Sequence, residues 1–228
     1  MHVALVTVGD ELLAGDTVNT NAAWLGRQLA ASGVTVERTT AVPDRLSDIA
    51  RVVNEYHAEY DAVIVTGGLG PTHDDKTIEG VAAAFGREVV ESDEALTWLE
   101  EHGGYQREDL TDGTGHVPAG ATVLPNHEGV APGCVVEQCY VLPGVPAEMK
   151  RMFEEIDGDF SGQERHVTVV EAAEPESALL DRLATVQERY AVKVGSYPGD
   201  NVRVKFEGTD PDIVAAAAAW LEARVESP

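Results

Sequence analysis

The sequence predicts an α/β fold in which helices cover both faces of a mostly parallel sheet, followed by a small α+β domain. The run from Val3 to Val8 is almost continuously apolar, which is typical of a strand buried on both faces. Strand and helix patterns then alternate at short intervals, which favours a parallel sheet. A third observation is the glycine-rich stretch that follows the apolar run Ala62–Val65. A loop of this kind after a buried strand indicates a ligand site at the carboxyl edge of the sheet.

Each element follows from apolar spacing and from its end signals. Ala22, Leu25 and Leu29 repeat at helical spacing, Asn19 or Asn21 can cap that helix, and Gly33 can end it. The other elements predicted for the first domain are strands at 34–42, 61–66, 121–124 and 134–142, a helix that opens at Pro43-Asp44 and carries apolar residues from Leu46 to Tyr56, and helices at 78–85, 92–102 and 147–156.

The chain changes character after a linker predicted at 158–163. We expect two domains, residues 1–157 and residues 158–228, and we find no catalytic cluster in the second. The elements predicted there are strands at 165–172, 192–196 and 202–206 and helices at 176–190 and 213–225. Residues 103–115 are rich in glycine and are predicted to form a loop, which is a candidate flap over a site.

The two cysteines, Cys134 and Cys139, fit no metal-binding spacing. Five residues apart in one predicted strand, they would face opposite sides of the sheet. The sequence therefore favours small buried residues over a disulfide or a ligand pair.

Composition and charge exclude several classes of protein. The 228 residues include 40 acidic and 16 basic side chains, and the formal net charge is −24. Such a chain repels nucleic acid and anionic membranes, so neither is an expected partner. The acids are spread over predicted helix faces, and the hypothesis that follows is a halophilic protein adapted to molar salt. We expect a cytoplasmic protein, because the sequence shows no signal peptide and no apolar run of about 20 residues.

The glycine-rich stretch has the chemistry of a phosphate cradle. Gly67, Gly68 and Gly70 let backbone N–H groups turn toward an anion, and a helix pattern begins soon afterwards. Asp74 and Asp75 follow, and carboxylates beside a phosphate suggest a bridging divalent cation. The alternative is an ordinary turn in which one of these two aspartates caps the helix. Asp44 poses the same choice, between an N-cap and a catalytic carboxylate.

Two better-known phosphate loops are excluded by spacing. The Walker loop requires Gly-Lys-Ser/Thr after four intervening residues, and the sequence contains no such string. The dinucleotide fingerprint requires a glycine three residues after Gly70, where His73 stands.

The motifs, taken together, resemble the N-terminal part of CinA-type proteins, which belongs to the MoaB/Mog molybdopterin-binding fold family. The resemblance spans roughly residues 3–156, and residues 166–225 look like the small α+β domain that follows in these proteins. The motifs that carry it are Val8–Gly15, Val18–Ala22, Thr66–Asp75, Ala131–Gly133 and Leu142–Met149.

The resemblance implies a three-layer α/β/α fold that binds a pterin or a nucleotide diphosphate at the glycine loop. In the Mog branch, two aspartates that match Asp44 and Asp75 serve adenylyl transfer to molybdopterin. The CinA branch is associated with metal-dependent hydrolysis of a nucleotide pyrophosphate such as ADP-ribose, and flavin-nucleotide relatives cleave FAD. Asp74 stands where the Mog branch usually has arginine, and Leu69 where it has threonine, which favours the CinA branch.

The function predicted is a nucleotide pyrophosphatase that uses Mg²⁺ or another divalent metal; the alternative is a molybdopterin-binding protein, either a binder or an adenylyl-transfer type. Asp74 and Asp75 are the expected metal ligands. The expected catalytic residues are Asp44, Asp75, Asp10 and Glu11, and the expected substrate-binding residues are Gly67, Gly68, Gly70, Thr72, Asn19, Gly144 and Pro146.

The resemblance also bears on partners. Relatives of this fold are usually oligomeric, so a homodimer or homotrimer is expected. Full-length CinA carries a C-terminal amidase domain to which the resemblance does not extend, so nicotinamide-nucleotide deamidation is not expected. A separately encoded amidase is a candidate partner.

Overall fold

The computed structural model describes residues 1–70, 72–111 and 113–228. Pro71, which belongs to the glycine-loop motif, and Asp112, inside the loop predicted at 103–115, lie outside the described residues. The chain divides into two compact units, Met1–Gly162 and Gln163–Pro228.

A six-stranded sheet forms the centre of the first unit, and it confirms the predicted fold class. The strand order is β2-β1-β3-β8-β7-β6. The pairs β1–β2, β1–β3 and β3–β8 are parallel, whereas β7 pairs with β8 and with β6 in the antiparallel sense. The strands are β1 (His2–Val8), β2 (Thr35–Val42), β3 (Ala62–Thr66), β6 (Thr122–Leu124), β7 (Gly133–Val136) and β8 (Cys139–Leu142).

Helices cover both faces of this sheet and make it the middle layer of three. Side chains alternate along each strand, so neighbours such as Ala4 and Leu5 enter different cores. Helices α3 and α4 pack on one face, and α2 and α6 pack on the other. The helices of this unit are α1 (Asp10–Ala14), α2 (Thr20–Ala31), α3 (Leu46–Glu59), α4 (Thr77–Ala84), α5 (Asp93–Trp98) and α6 (Pro146–Ile156).

The prediction of a single strand at 134–142 is wrong, because this segment forms a hairpin of two strands. Glu137 has a positive φ of 52°, and it separates β7 from β8. The hairpin also overturns the expectation that the two cysteines face opposite sides, since Cys134 and Cys139 enter the same core. Burial raises the pKa of the Cys134 thiol to about 12 and that of Cys139 well above its usual value. Both cysteines are therefore buried protonated thiols.

A small two-stranded sheet, which the sequence reading missed, lies outside the central sheet. Strand β4 (Val89–Glu91) pairs with β5 (His116–Pro118) in the antiparallel sense. Between them, α5 continues into a π-helical turn at Leu99–Gly103, and a 3-10 turn forms at Arg107–Asp109. The segment predicted as a loop is thus anchored at both ends.

The second unit has a three-stranded antiparallel sheet in the order β10-β11-β9. Its strands are β9 (His166–Ala172), β10 (Lys193–Tyr197) and β11 (Val202–Gly208), and its helices are α7 (Glu176–Arg189) and α8 (Pro211–Glu222). Phe206, Leu179 and Leu221 are fully buried in its core. In neither unit do the described residues form a helix with the length and apolar character needed to cross a membrane.

Candidate functional site

The carboxyl ends of four neighbouring strands meet at one edge of the central sheet. In the strand register, Val8 of β1 lies beside Val42 of β2, and Thr66 of β3 lies beside Leu142 of β8. The loops that follow these strands begin at Gly9, Pro43, Gly67 and Pro143, and they carry the motifs that the sequence singled out. This is the edge at which open α/β sheets bind ligands.

The start of the glycine loop has room for glycine alone. Gly67 and Gly68 have φ values of +100° and +63°, which side chains disfavour. A Cβ on Gly67 would clash with the carbonyl oxygen of Val8, and one on Gly68 would clash with the Thr77 hydroxyl. The Gly67 N–H donates to the Leu142 carbonyl at 3.1 Å, which fixes the first turn of the loop.

Asp44 faces this loop and does not cap α3. Its Oδ2 accepts a hydrogen bond of 2.8 Å from the backbone N–H of Asp10. The N-cap position of α3 is occupied by Arg45, with no side-chain cap, so the N-cap alternative is wrong. Burial raises the pKa of Asp44 above its ordinary value, and the negative charges of Asp10, Glu11 and Asp75 raise it further, against the lowering effect of the Asp10 N–H.

Four carboxylates converge on one open cleft of about 210 Å³, which we call the carboxylate cleft. Its acidic lining residues are Glu11, Asp44, Asp74 and Asp75. Its backbone walls come from Gly67 and Gly68 of the glycine loop and from Gly144 of the loop after β8. The backbone N–H of Asp10 donates to Asp44, but the exposed side chain of Asp10 is not part of this lining.

Asp75 is held by the turn in which it lies, and neither Asp74 nor Asp75 caps α4. Oδ2 of Asp75 accepts from the Thr72 backbone N–H at 3.1 Å and from the Thr72 hydroxyl. Lys76 occupies the N-cap position without a side-chain cap, so the capping alternative is wrong for both aspartates. The pKa of the exposed Asp74 is lowered, first by hydrogen bonding from the Thr72 side chain and then by its own backbone N–H.

A smaller cavity of about 110 Å³ adjoins the carboxylate cleft and shares Glu11, Gly67 and Gly144 with it. The predicted binding residues Asn19 and Pro146 line this smaller cavity. The side chain of Asn19 is already engaged, because it caps α2 through Ala22 N–H and donates to Thr7 Oγ1 at 2.9 Å.

Asn21 is a site residue that the sequence reading assigned only to helix capping. Its Nδ2 donates to the Gly144 carbonyl at 2.7 Å, whereas its buried Oδ1 has no hydrogen-bond partner. A buried acceptor without a partner is uncommon, and here it lines the cavity beside the glycine loop. Its contact with Gly144 depends on tertiary structure, and the only signal in the sequence is that Asn21 lies in the Val18–Ala22 motif.

A third cavity, of about 260 Å³, lies along the later part of the glycine loop, and we call it the loop cavity. Gly70 and Thr72, both predicted binding residues, line it together with Asp75. His73, Lys76 and His116 supply its basic groups, and Lys76 is paired with Glu79 at 3.4 Å. Asp75 and Gly68 line both the loop cavity and the carboxylate cleft, so the two spaces are adjacent.

The donor set in the carboxylate cleft fits a hard divalent cation that a substrate completes. Among the described residues, no three His, Cys, Asp or Glu side chains form a ready-made metal site. Mg²⁺ usually needs only one or two carboxylates, with water and substrate phosphates as its other ligands. Burial is the main cause of the raised pKa of Asp44, and the negative charges of Asp10, Glu11 and Asp75 add to it; a bound cation would offset those charges.

A three-layer α/β/α fold with a glycine loop and clustered carboxylates defines an α/β ligand-binding protein, and comparison with known proteins gives the family. A family model described as a probable molybdopterin-binding domain matches residues 4–158. A second, described as the middle domain of FAD synthase, matches residues 164–227. The chain belongs to the CinA-like proteins, whose N-terminal part is a MoaB/Mog-type probable molybdopterin-binding domain.

Individual relatives agree with this assignment. A protein of Archaeoglobus fulgidus is 40% identical, over 97% of both chains. A CinA-like protein of Citrifermentans bemidjiense is 36% identical over 100% of this chain and 59% of its own length, so the chain spans about three fifths of that relative. The crystal structure of CinA from Thermoplasma acidophilum, a protein of unknown function, is similar with a TM-score of 0.64 and 36% identity over 70% of this chain and 97% of that chain.

Proposed function

We propose that this protein is a metal-dependent nucleotide pyrophosphatase of the CinA type, which hydrolyses ADP-ribose or a related dinucleotide such as FAD. One observation carries the proposal: the glycine loop and four carboxylates meet in a single cleft. Glycine backbone favours binding of a diphosphate, and carboxylates favour the divalent cation that accompanies it. The match of residues 164–227 to a domain of FAD synthase supports a nucleotide as the ligand.

In this proposal the glycine loop holds the diphosphate beside the N-terminus of α4, whose dipole attracts anions. Asp75, with Asp74, would hold Mg²⁺ or another divalent cation at the edge of the loop. When bound, such a cation neutralises the leaving phosphate and lowers the pKa of a coordinated water.

Asp44 is best placed to accept the proton of the attacking water, with Glu11 beside it and Asp10 fixing its orientation. A raised pKa makes the Asp44 carboxylate a stronger base than an ordinary aspartate, which suits general-base catalysis. The water oxygen attacks one phosphorus, the bridging P–O bond breaks, and ADP-ribose yields AMP and ribose 5-phosphate. The loops that carry Asn21 and Gly144 would orient the substrate.

The second candidate function is that of a molybdopterin-binding protein, a binder or an adenylyl-transfer type. The description of the family matched by residues 4–158 favours it. Leu69 and Asp74, which differ from the Mog pattern, argue against it. A fluorescent pterin that co-purifies with the protein, without diphosphate hydrolysis, would support this second function.

The decisive assay follows cleavage of ADP-ribose, FAD and NAD by product chromatography in high KCl with Mg²⁺, Mn²⁺ or Co²⁺. We expect metal-dependent release of AMP from at least one of them, and its loss when EDTA removes the metal. No cleavage with any metal would overturn the pyrophosphatase proposal.

The role of Asp75 is tested by Asp75→Asn. Because this carboxylate is the proposed metal ligand, we expect turnover to fall by about 10²–10⁴-fold. Circular dichroism and thermal unfolding should show that the variant remains folded. Asp181→Asn, at an exposed position on α7 of the second unit, is the matched control and should leave turnover unchanged. Equal activity of the two variants would remove Asp75 from the mechanism.

The partners proposed are a second or third copy of this chain and a separately encoded amidase. The amidase is proposed from the resemblance to CinA-type proteins alone. Light scattering would give the oligomeric state, and co-purification with a candidate amidase would test the complex.

A further inference from the structure

An apolar cavity of about 270 Å³ borders the glycine loop at Leu69. Its apolar lining comes from Leu69, Tyr105, Leu110, Val130 and Ala131. We infer that this space, which we call the ring cavity, binds the planar heteroaromatic ring of the ligand, with Tyr105 as the stacking residue. The inference rests on the proposed function only in placing the ligand's phosphate on the glycine loop.

The ring cavity belongs to the same ligand path as the carboxylates. Leu69, inside the glycine loop, lines both the ring cavity and the loop cavity. Asp75 and Gly68 in turn line both the loop cavity and the carboxylate cleft. One extended ligand could therefore place a phosphate at the loop and a ring beside Tyr105.

The chemistry of the ring cavity fits a heterocycle and opposes a phosphate. Among its described lining residues there is no lysine, arginine or histidine, and Asp109 adds a negative charge. Asp109, Thr111 and Thr114 are the polar residues of the lining, and they suit the amino groups and ring nitrogens of adenine or a pterin. An apolar space with a few polar groups is the usual form of a site for such a ring.

Tyr105 is suited to stacking because its ring is exposed and yet supported. The residue is 38% exposed. Its ring packs over Gly103, where a Cβ would lie 2.8 Å from Tyr105 Cδ2. A side chain at Gly103 would therefore displace the ring, although the backbone of Gly103 is not in the left-handed region.

The opposite wall is held in place by a buried asparagine. Nδ2 of Asn126 donates to the Ala131 carbonyl at 2.9 Å and to Glu148 Oε2 at 2.7 Å, and its Oδ1 accepts from the N–H groups of Glu128 and Gly129. This network fixes Val130 and Ala131 before any ligand arrives. It also gives the Ala131-Pro132-Gly133 motif, which the pyrophosphatase mechanism does not use, a place in ligand binding.

The test compares the affinities of phosphate ligands with and without a ring by calorimetry. The probes are AMP, 6-hydroxymethylpterin phosphate and ribose 5-phosphate, none of which has a pyrophosphate bond to hydrolyse. We expect Tyr105→Ala to weaken binding of AMP or of the pterin phosphate by about 10-fold or more, since base stacking on an aromatic residue has this magnitude. Binding of ribose 5-phosphate should not change, and Tyr105→Phe should keep the wild-type affinities.

Gly103→Ala is the second variant, and it should weaken the ringed ligands in the same way because it moves the Tyr105 ring without removing it. Tighter binding of AMP identifies adenine, and tighter binding of the pterin phosphate identifies a pterin. Equal effects of Tyr105→Ala on all three probes, no effect on any of them, or no gain in wild-type affinity from a ring would each overturn the inference. Failure of the pyrophosphatase proposal is a separate result, since it appears as absence of ADP-ribose cleavage.

Discussion

The glycines of the loop exclude a side chain for different structural reasons. Gly68 combines a left-handed backbone with close approach to Thr77 and Asp44, whereas Gly70 is restricted by Asp75, whose Oδ2 lies 2.6 Å from the place of a Cβ. Gly86, at the end of α4, has a similar φ of +61° and open space around it. Comparing alanine substitutions at Gly68 and Gly86 therefore separates the cost of a left-handed backbone from the cost of crowding.

We expect Gly86→Ala to lower the free energy of unfolding by about 1–2 kcal/mol, the cost of a left-handed alanine. Gly68→Ala should lower it by more, because the Cβ also meets the Thr77 hydroxyl, and it should abolish ligand binding. Urea unfolding and calorimetry with ADP-ribose measure the two effects. A Gly68→Ala protein that matches Gly86→Ala in stability and still binds would show that the loop is not crowded.

The ionised Asp44 carboxylate is expected to destabilise the folded protein, because its pKa is raised there. Its pKa in the folded protein lies above the ordinary value of 3.8, so ionisation destabilises the fold increasingly as the pH rises from 3.8 through the raised pKa. We expect Asp44→Asn to be more stable than the wild type at neutral pH, because the amide oxygen can still accept from Asp10 N–H. The advantage should shrink as the pH falls toward 3.8.

The measurement is urea unfolding of both proteins across that pH range. Asp44→Ala is the control, since it removes the charge and the acceptor together and should gain less. An Asp44→Asn protein that is less stable than the wild type at every pH would contradict the expectation that the Asp44 charge destabilises the fold.

At the scale of elements, the sequence predicted what depends on local pattern. The apolar run of β1 and the spacing of Leu25 and Leu29 identified a buried strand and the inner face of α2, both confirmed. The β7–β8 hairpin was missed because its turn, at Glu137 and Gln138, contains no glycine or proline. Strand β4 was missed because its three residues are exposed and show no alternation.

The candidate site was predictable in part for the same reason. Motifs on single loops, such as the glycine loop and Asp74–Asp75, can be identified from the sequence. Contacts between segments that are distant in the sequence cannot. The hydrogen bonds of Asn21 with Gly144, Asp44 with Asp10, and Asn126 with Glu148 each join a helix to a loop that is distant in the sequence. Their roles were therefore open or unrecognised in the sequence.

The loop between β6 and β7 depends on Asn126, which is 3% exposed. Replacement by alanine leaves the half-buried N–H of Gly129, carbonyl of Ala131 and carboxylate of Glu148 without this partner, so we expect a loss of about 1–3 kcal/mol of unfolding free energy. Asn54→Ala is the matched control, since the exposed Asn54 side chain donates to the Ala84 carbonyl, and its loss should cost about 1 kcal/mol or less. Equal losses in urea unfolding would mean that the Asn126 network does not stabilise the loop.

At the scale of the whole molecule, the dominant physical property is charge. A net charge of −24 on 228 residues produces repulsion throughout the folded chain, and folding must overcome it. Ion pairs such as Arg87 with Glu137 and Arg182 with Glu174 offset this charge locally. The 16 basic residues cannot neutralise 40 acidic ones, so solvent cations must do so.

We expect the free energy of unfolding to rise as KCl is increased from 0.1 M to about 1 M, where the screening length falls from about 10 Å to about 3 Å. Most of the gain should come below 1 M, because beyond that point repulsion between neighbouring carboxylates is already screened. NaCl at equal concentration should have the same effect, since screening depends on ionic strength and not on the identity of the cation.

Urea unfolding at each salt concentration provides the measurement. Stability that is flat or falls with salt would refute the halophilic hypothesis, and a gain with KCl but not NaCl would point to a specific potassium site instead of general screening.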